Sequence, residues 1–260
     1  MREAARISAA AHVRAMESAA PSLTEGDLEA ELLYAFRRGG AREPAYESIV
    51  ACGDHACTMH YVRNDAPLVD GELVLIDAGC EYGGYAADIT RTFPVSGAFS
   101  AAQREIHDLV LAAQQAAIEA IRPGAHFNAP HEAADRVLTE GLVTFGLLEG
   151  ELDELLARDA SRPWTMHKSS HWLGLDVHDV GDYRIGEVWR DLVPGMVLTV
   201  EPGLYFHRDL EGAPERFRGI GVRIEDDVLV TADGHEVLTR DVPKAADEIE
   251  ALMRRAREVA

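Results

Sequence analysis

The stretch of sequence that decides the fold is VLIDAGCEYGGYAADITRTF, residues 74–93. Its first three residues are apolar, which predicts a short buried β-strand, and the acidic residue Asp77 ends that strand. If Tyr82-Gly83 forms a two-residue loop, the second half of the stretch returns as the antiparallel partner of the first. The stretch therefore predicts a hairpin that carries a carboxylate at the end of a buried strand.

The register of this hairpin brings two carboxylates together. With that loop, Glu81 pairs with Gly84, and Asp77 stands directly opposite Asp88 on the same face of the ladder. Like charges directly opposite each other destabilise a sheet, so either a bridging divalent cation or a shared proton must compensate. A shifted register that sends both aspartates to solvent is the alternative that this segment leaves open.

Outside the hairpin, helical and strand-like patterns occupy separate blocks of the chain. Apolar residues recur at helical spacing in several segments, two of which begin with capping boxes at Thr24–Asp27 and Ser100–Gln103. The predicted helices are 3–19, 24–39, 100–122, 130–145, 151–158 and 244–259. Short runs rich in Val, Ile and Tyr fill 46–94 and 164–240. This segregation predicts an α+β fold rather than alternating βαβ units.

A short internal repeat links the two strand-rich blocks. GELVLIDAG (71–79) and GMVLTVEPG (195–203) each run from glycine through an apolar strand to an acid, with a glycine two residues later. The two acids are Asp77 and Glu201. We therefore expect equivalent elements of two half-domains to carry them.

The composition restricts the classes of function. A formal net charge of −20 over 260 residues argues against binding to nucleic acid or to an anionic membrane, since both demand a basic surface. An acidic surplus usually forms a solvated surface, and the alternative is that some of the carboxylates form a cation site. Three cysteines are too few for a disulfide framework, and no run approaches the roughly 18 apolar residues of a membrane span. We therefore expect a soluble, cytoplasmic protein.

Three histidines lie close together in TMHKSSHWLGLDVHDVG, residues 165–181. They are His167, His171 and His178. A lone histidine in a core strand is more often a hydrogen-bonded structural residue than a ligand, but three so close together favour a site. Imidazole suits manganese, zinc, cobalt or iron. The zinc-peptidase helix motif is excluded, because no acid lies between the first two histidines.

Two further acids stand at or beside apolar strands. Glu201 ends the apolar run of MVLTVEPGLY (196–205), and Glu225 shares a strand face with Arg223 in GIGVRIEDDVLV (219–230). A strand glutamate taken singly is more often solvated than functional. Taken together, four carboxylates and one imidazole match what two hard-to-borderline divalent cations need. The predicted metal ligands are Asp77, Asp88, His171, Glu201 and Glu225.

Five motifs together resemble one family. They are HYVRND (60–65), VLIDAGCEYGGYAADITRTFPVSG (74–97), HWLGLDVHDVG (171–181), GMVLTVEPGLY (195–205) and FRGIGVRIEDDVLVT (217–231). The set resembles the catalytic domain of the aminopeptidase P family, which belongs with prolidase and methionine aminopeptidase to the pita-bread metallopeptidases. The resemblance implies a pseudo-twofold curved antiparallel sheet with helices on its outer face. It also implies a single catalytic domain over 1–260, without the family's separate N-terminal domain.

The resemblance further implies a role for each metal ligand. Asp77 would bind one ion, and His171 with Glu201 would bind the other. Asp88 and Glu225 would bridge both ions. The implied cofactors are two divalent cations, usually Mn²⁺ in this family, with Zn²⁺, Co²⁺ or Fe²⁺ as alternatives.

Other residues would act on the peptide. Glu201 would also move a proton to the departing amine, His60 would contact the scissile group, and His178 would stabilise the carbonyl as it becomes tetrahedral. The residues implied to bind substrate beyond the scissile bond, on the side where the family seats proline, are His167, Arg223 and Tyr205.

One residue departs from the family pattern. Lys168 follows His167 where a small residue, usually glycine, is expected.

The implied partners are peptides with proline at the second position, and a homo-oligomer is compatible with the family. Prolidase and methionine aminopeptidase activities are the alternatives within the class. From a different class, the alternative is a non-catalytic pita-bread binding module or a metal-free relative resembling creatinase; such proteins typically lose metal ligands, and none is lost here.

Overall fold

A computed structural model describes residues 1–259 of the chain. Its α-helices are α1 (Arg2–Ser18), α2 (Glu25–Gly39), α3 (Ala101–Glu119), α4 (Ala129–Thr144), α5 (Leu152–Ala157), α6 (Arg162–Thr165) and α7 (Ala246–Val259). Its β-strands are β1 (Glu43–Pro44), β2 (Ile49–Cys52), β3 (Leu73–Asp77), β4 (Cys80–Tyr82), β5 (Tyr85–Ala86), β6 (Thr90–Pro94), β7 (Arg184–Ile185), β8 (Val188–Trp189), β9 (Val197–Val200), β10 (Gly203–Phe206), β11 (Ile220–Arg223), β12 (Asp226–Val230) and β13 (His235–Val237). The strand pairings are antiparallel, and the helices lie in separate stretches of chain, which confirms the predicted α+β class.

Both predicted capping boxes are confirmed. The hydroxyl of Thr24 accepts a hydrogen bond from the backbone N–H of Asp27 at 3.1 Å, and α2 begins directly after Thr24. The hydroxyl of Ser100 accepts one from the backbone N–H of Gln103 at 3.3 Å at the start of α3. These reciprocal bonds satisfy backbone donors that the first helical turn leaves unpaired.

The predicted register of the first hairpin is wrong by two residues. The loop is Gly83-Gly84, with φ of 61° and 86°, so Tyr82 pairs with Tyr85 and Asp77 pairs with Thr90. Two consecutive positive φ values suit a type I′ turn, which glycine adopts without steric cost. A slip of two residues keeps each side chain on its predicted face, so the two aspartates still share a face without standing opposite each other.

The like-charged pair expected in the first hairpin occurs in the second half of the chain. Strand β9 pairs with β12, and β10 pairs with β11, in one common register that places Glu201 opposite Glu225. Both strands are interrupted there, because the ladder stops at Val200 and resumes at Gly203. Like charges opposite each other destabilise a ladder, and Pro202 has no N–H to donate to it.

The predicted strand content of the segment 166–183 is wrong. Apart from a single bridge between Trp172 and Leu198, this segment is irregular. Its backbone still follows β9, since Thr199 N–H donates to the carbonyl of His171 at 3.0 Å and Glu201 N–H donates to Ser169 at 2.9 Å. The segment is therefore attached to the sheet at alternate residues without becoming a regular strand.

Two hydrophobic cores support the strands that carry the acids. One core packs α1, α2 and α7 against β2 and β3, and the other packs α3 and α4 against β9 to β12. The acid of each repeat lies at the end of the apolar strand, since Asp77 is the last residue of β3 and Glu201 directly follows β9. No helix among residues 1–259 combines the length and the apolar character needed to cross a bilayer.

A buried histidine in the first core leads to a pH prediction. His12 on α1 is 0% exposed, and its Nε2 lies 2.9 Å from the carbonyl oxygen of Ala78, next to Asp77. Burial lowers the pKa of His12 to about 4. Below about pH 6.5 the unfolded chain binds a proton there that the folded chain does not, so stability falls as the pH falls.

We expect the metal-free protein to lose about 2 kcal/mol more of its unfolding free energy between pH 7 and pH 5 than the His12→Gln variant does. Glutamine can still donate to the Ala78 carbonyl but does not titrate. Urea unfolding at both pH values in the presence of a chelator measures the difference. Parallel pH dependences of the two proteins would contradict the prediction.

Candidate metal centre

The five predicted metal ligands lie around one point. Asp88, His171 and Glu225 offer ligand atoms that all lie within 4.8 Å of one another. The Nε2 atom of His171 is 3.4 Å from Oδ2 of Asp88 and 3.6 Å from Oε1 of Glu201. Asp77 completes the group, because it and Asp88 contact the same hydroxyl group. The fold thus brings together side chains that are far apart in the sequence.

These side chains stand where regular structure stops. Asp77 ends β3 and Glu201 follows β9, as the sequence predicts. Asp88 lies between β5 and β6, Glu225 lies between β11 and β12, and His171 lies in the irregular segment beside β9. Gaps in the ladders allow acids from neighbouring strands to turn towards one point rather than alternate across a sheet.

A glycine permits one of these gaps. Gly79 packs so closely on the returning chain that a Cβ atom there would lie 1.8 Å from the carbonyl oxygen of Ala87. Only glycine allows the two backbones to approach this closely. The close approach holds the segment that carries Asp88 beside the end of β3.

The carboxylates are buried together, which disfavours their charged forms. Burial raises the pKa of Asp77 to about 6 and the pKa of Glu201 to about 7. The pKa of Glu225, which is 2% exposed, is raised well above its usual range by burial and by the charge of Asp88. The protein alone therefore does not supply enough positive charge to keep this cluster ionised.

His171 supplies part of the missing charge. Burial lowers the pKa of His171, but its hydrogen bond to Asp88 and the charge of Glu201 outweigh burial and raise the pKa to about 9. At Asp88 burial raises the pKa, and the same contact with the imidazole outweighs it, so that this pKa is lowered. In the metal-free protein, the protonated ring of His171 therefore supplies positive charge next to the carboxylates.

The donor set fits divalent cations. Four carboxylates face two positive charges, those of the His171 imidazolium and the Arg223 guanidinium, whose Nη2 donates to Asp77 at 2.5 Å. Buried charges that lack a partner are costly, and metal coordination is one of the arrangements that compensates them. An oxygen-rich set with one imidazole suits manganese and also admits zinc, cobalt or iron.

Tyr46 belongs to this centre and is absent from the residues predicted from sequence. Its hydroxyl contacts Oδ1 of Asp77 at 2.7 Å and Oδ1 of Asp88. The hydroxyl has one hydrogen, which it can donate to only one of these oxygens at a time. Because the hydroxyl lies against both oxygens, Tyr46 fixes the relative position of the two carboxylates. A lone tyrosine in an irregular segment gives no periodic signal, although it lies only three residues before β2.

We expect Tyr46→Phe to weaken metal binding by roughly 10- to 100-fold, because partners that orient metal ligands contribute on this scale. Titration of the metal-stripped variant with Mn²⁺, followed by calorimetry, measures the change. Tyr82→Phe, on the exposed side of β4, is the matched control and should bind as the wild type does. Unchanged affinity in Tyr46→Phe would show that the hydroxyl does not orient the two carboxylates.

The three predicted substrate-binding residues, His167, Arg223 and Tyr205, form one hydrogen-bonded chain. Nη1 of Arg223 donates to the hydroxyl oxygen of Tyr205 at 3.0 Å, and that hydroxyl lies 2.7 Å from Nε2 of His167. Nδ1 of His167 lies 2.8 Å from the carbonyl oxygen of Lys168, so this nitrogen carries the proton and Nε2 accepts from Tyr205. Burial and the Arg223 charge lower the pKa of His167 to about 3, which keeps its ring neutral.

The two remaining predicted residues lie at the mouth of a cleft. A cavity of about 290 Å³ is lined by Asp77 and Asp88 at its base and by His60 and His178 nearer solvent. The ring of His178 packs edge-on against His171, with centroids 4.4 Å apart. An open path therefore leads from solvent to the carboxylate cluster, and it passes two imidazoles.

The loop that carries His60 is held by a buried carboxylate that the sequence analysis does not identify. Glu25, the first residue of α2, is 0% exposed and accepts hydrogen bonds from the backbone N–H of Cys52 at 2.8 Å and of Ala66 at 3.0 Å. The hydroxyl of Tyr61 donates to it at 2.8 Å. Glu25 thereby ties both ends of the loop to one helix, and its only sequence signal is an acid in a first helical turn.

Comparison with known proteins places this centre in a class of metal-dependent peptidases. The model of metallopeptidase family M24 matches residues 1–232. The chain is 53% identical over 257 residues to the Xaa-Pro aminopeptidase of Escherichia coli K12, covering 99% of this chain and 58% of that protein. The chain belongs to metallopeptidase family M24.

Solved structures agree with this assignment. The aminopeptidase PepP of Pseudomonas aeruginosa superposes with a TM-score of 0.98 at 58% identity, covering 99% of this chain and 58% of that one. A variant of Escherichia coli aminopeptidase P in complex with substrate gives a TM-score of 0.96 at 52% identity, with the same coverage of the two chains. The predicted pita-bread fold is therefore confirmed. The chain spans 58% of the length of each of these relatives.

Proposed function

We propose that this chain is the catalytic region of a dinuclear metal-dependent aminopeptidase, which hydrolyses the bond between an N-terminal residue and a following proline. The observation that carries the proposal is the convergence of four acids and one histidine, of which Asp77 and Asp88 line the base of an open cleft. The high identity to Xaa-Pro aminopeptidases over nearly the whole chain supports the substrate class.

The residues that would hold two divalent ions, with Mn²⁺ as the proposed metal, are Asp77, Asp88, His171, Glu201 and Glu225. When bound, such a pair supplies a Lewis acid and lowers the pKa of a water molecule towards neutrality. Asp88 and Glu225, whose ligand atoms lie within 4.8 Å of each other, are proposed to contact both ions. Asp77 is proposed for one ion, and His171 with Glu201 for the other.

Glu201 is proposed to transfer the proton from the attacking water to the departing amine. A carboxylate in this place, at the edge of the proposed metal centre, can accept a proton from the water as a general base and release it to the amine as a general acid. It is half-buried, and its Oε2 lies 3.6 Å from Nδ1 of His167. The carboxylate thus lies between the metal centre and the proposed proline side of the cleft.

Two imidazoles are proposed to bind the scissile group. His60 and His178 line the solvent side of the cleft, where a peptide carbonyl above the acids would lie between them. Fixed hydrogen-bond donors aimed at a developing oxyanion stabilise the transition state more than the ground state. On the other side, the chain of His167, Tyr205 and Arg223 is proposed to form a rigid wall against which the proline ring packs.

We further propose one catalytic domain over residues 1–260, a cytoplasmic location and assembly into a homo-oligomer. The three cysteines are buried and free, which agrees with a reducing compartment. The M24 match, over residues 1–232, supports a single domain.

The test is hydrolysis by the metal-stripped protein after titration with Mn²⁺, Zn²⁺ or Co²⁺. The substrates are Xaa-Pro dipeptides, Xaa-Pro-Yaa tripeptides and peptides that begin with methionine. We expect cleavage of Xaa-Pro-Yaa tripeptides that depends on added metal. Cleavage of dipeptides alone would indicate a prolidase, cleavage only after methionine would indicate a methionine aminopeptidase, and no cleavage with full metal occupancy would indicate a binding module.

A further inference from the structure

An unpaired carboxylate lies on the wall of the cleft. Glu47 follows Tyr46, and both residues line the cavity that leads to Asp77 and Asp88. Glu47 is exposed, and none of the side chains that the structure describes forms an ion pair or hydrogen bond with it. An acid without a partner beside a substrate path is available to bind a cation from the substrate.

The walls beside Glu47 are apolar. Ile49, Val62 and Val177 line the same cavity, and Val62 is 44% exposed. Lysine and arginine side chains bury their aliphatic stems against such surfaces while the charged end reaches a polar partner. The pairing of an apolar wall with a terminal carboxylate therefore matches a long basic side chain better than a short or acidic one.

The charge balance of the site isolates Glu47 further. Two divalent ions would carry a charge equal and opposite to that of the four carboxylates, and Arg223 adds a further positive charge at Asp77, so the acids at the base of the cleft would be compensated once metal is bound. Glu47 is outside that group, and no cation of the site faces it. The net charge of −20 also attracts cationic peptides to the protein as a whole, which a local test must separate from the effect of Glu47.

We propose that Glu47 makes the cleft select peptides whose N-terminal residue is arginine or lysine. The inference rests on the proposed function, because it assigns the side chain of the residue that is released to the wall formed by Glu47, Ile49 and Val62. Glu47 is thus a specificity-determining residue, and it binds the substrate side chain rather than the reacting atoms.

The experiment compares kcat/KM for Arg-Pro-Yaa with kcat/KM for norleucine-Pro-Yaa, a neutral substrate with a similar aliphatic stem, in the Mn²⁺-loaded protein. We expect the wild type to prefer arginine by about fivefold, the scale of one partly exposed charge pair. Glu47→Gln should bring the ratio close to one, and Glu47→Lys should invert it. The wild-type preference should also fall as the salt concentration rises.

Glu43→Gln is the matched control. It makes the same change in net charge on β1, where Glu43 is exposed and does not line the cavity, and it should leave the ratio as in the wild type. An equal loss of preference in Glu43→Gln would assign the effect to the overall field and overturn the proposal. A uniform fall in both rates in Glu47→Gln, with the ratio unchanged, would assign Glu47 to the common α-ammonium group and overturn it as well.

The two peptides distinguish the role of Glu47 from the proposed function. Cleavage of norleucine-Pro-Yaa without a preference for arginine would overturn the role of Glu47 and leave the proposed function intact. Cleavage of neither peptide by the metal-loaded protein would refute the proposed function and, with it, the role of Glu47.

Discussion

Replacing Glu225 with alanine is expected to abolish peptide hydrolysis and to lower the number of bound metal ions in the same protein. Glu225 is 2% exposed, and its ligand atom lies within 4.8 Å of those of Asp88 and His171. Its Oε2 accepts a hydrogen bond from the hydroxyl of Thr90 at 2.7 Å, which fixes the carboxylate. If this carboxylate holds both ions, its removal costs several kcal/mol of transition-state stabilisation, so kcat/KM should fall by at least about 10³-fold.

The same position distinguishes a metal ligand from a residue that merely stabilises the fold. Burial and the charge of Asp88 raise the pKa of Glu225 well above its usual range, so the carboxylate is unfavourable in the metal-free protein. We therefore expect Glu225→Gln to stabilise the metal-free protein to urea while it removes metal binding. Sites built for function often reduce stability in this way.

Metal content by mass spectrometry of the native protein, together with urea unfolding in a chelator, tests both statements. Glu43→Ala, which removes an exposed acid that pairs with Arg42 and does not line the cavity, should keep the wild-type metal stoichiometry. Two bound ions in Glu225→Ala would contradict the proposed bridging role. A less stable metal-free Glu225→Gln would contradict the argument from repulsion.

Arg91→Met is expected to reduce the unfolding free energy by about 3–5 kcal/mol, the usual cost of removing one partner from a buried ion pair. Arg91 is 1% exposed, and its Nη2 donates to Oδ1 of Asp226 at 2.8 Å, while Asp226 is fully buried. Lys244 also pairs with Asp226 at 2.7 Å, so the variant leaves this aspartate with a single cation.

Arg91 also holds the backbone around the metal centre. Its Nη1 donates to the carbonyl oxygens of Thr90 at 2.9 Å and of Glu225 at 2.5 Å, and its Nε donates to Pro243 at 3.1 Å. The planar guanidinium makes these contacts at once, and a lysine ammonium cannot reproduce their geometry. Arg91→Lys should therefore be destabilised as well, and both variants should bind metal more weakly than the wild type.

Urea unfolding of the metal-free proteins measures the loss. Arg63→Met is the control, because Arg63 forms an ion pair with Asp65 on the surface and should give an unfolding midpoint like that of the wild type. A change in Arg91→Met as small as that in the control would show that the buried network does not support the fold.

The sequence predicts the parts of the centre that follow local rules. Asp77 and Glu201 are found because each interrupts an apolar strand, and that signal depends only on neighbouring residues. Thr24 and Ser100 are found because a capping box spans only four residues. The register of the first hairpin is missed because Tyr82-Gly83 and Gly83-Gly84 are both available as loops, and backbone sterics at consecutive positive φ favour the second.

The residues missed from sequence act through contacts between distant segments. Tyr46 lies 31 residues from Asp77 and 42 from Asp88, and Glu25 lies 41 residues from Ala66. No periodicity encodes such pairs, since they exist only once the strands have packed. The break between β11 and β12 is hidden for a related reason. Apolar and polar residues alternate without a break through Glu225, which predicts one strand. In the structure, β11 pairs with β10 and β12 pairs with β9.

That two acids of the centre come from the first half of the chain and the other three ligands from the second has a mechanical consequence. Asp77 and Asp88 belong to the layer under α1 and α2, whereas Glu201 and Glu225 flank strands packed under α3. Ions held between them would connect the two halves of the chain. At a free metal concentration of 100 times its Kd, each site would add about 2.7 kcal/mol to the free energy of unfolding. Metal would then add to the buried Arg91–Asp226 ion pair, which already joins the two halves, and should raise the unfolding temperature of the whole chain.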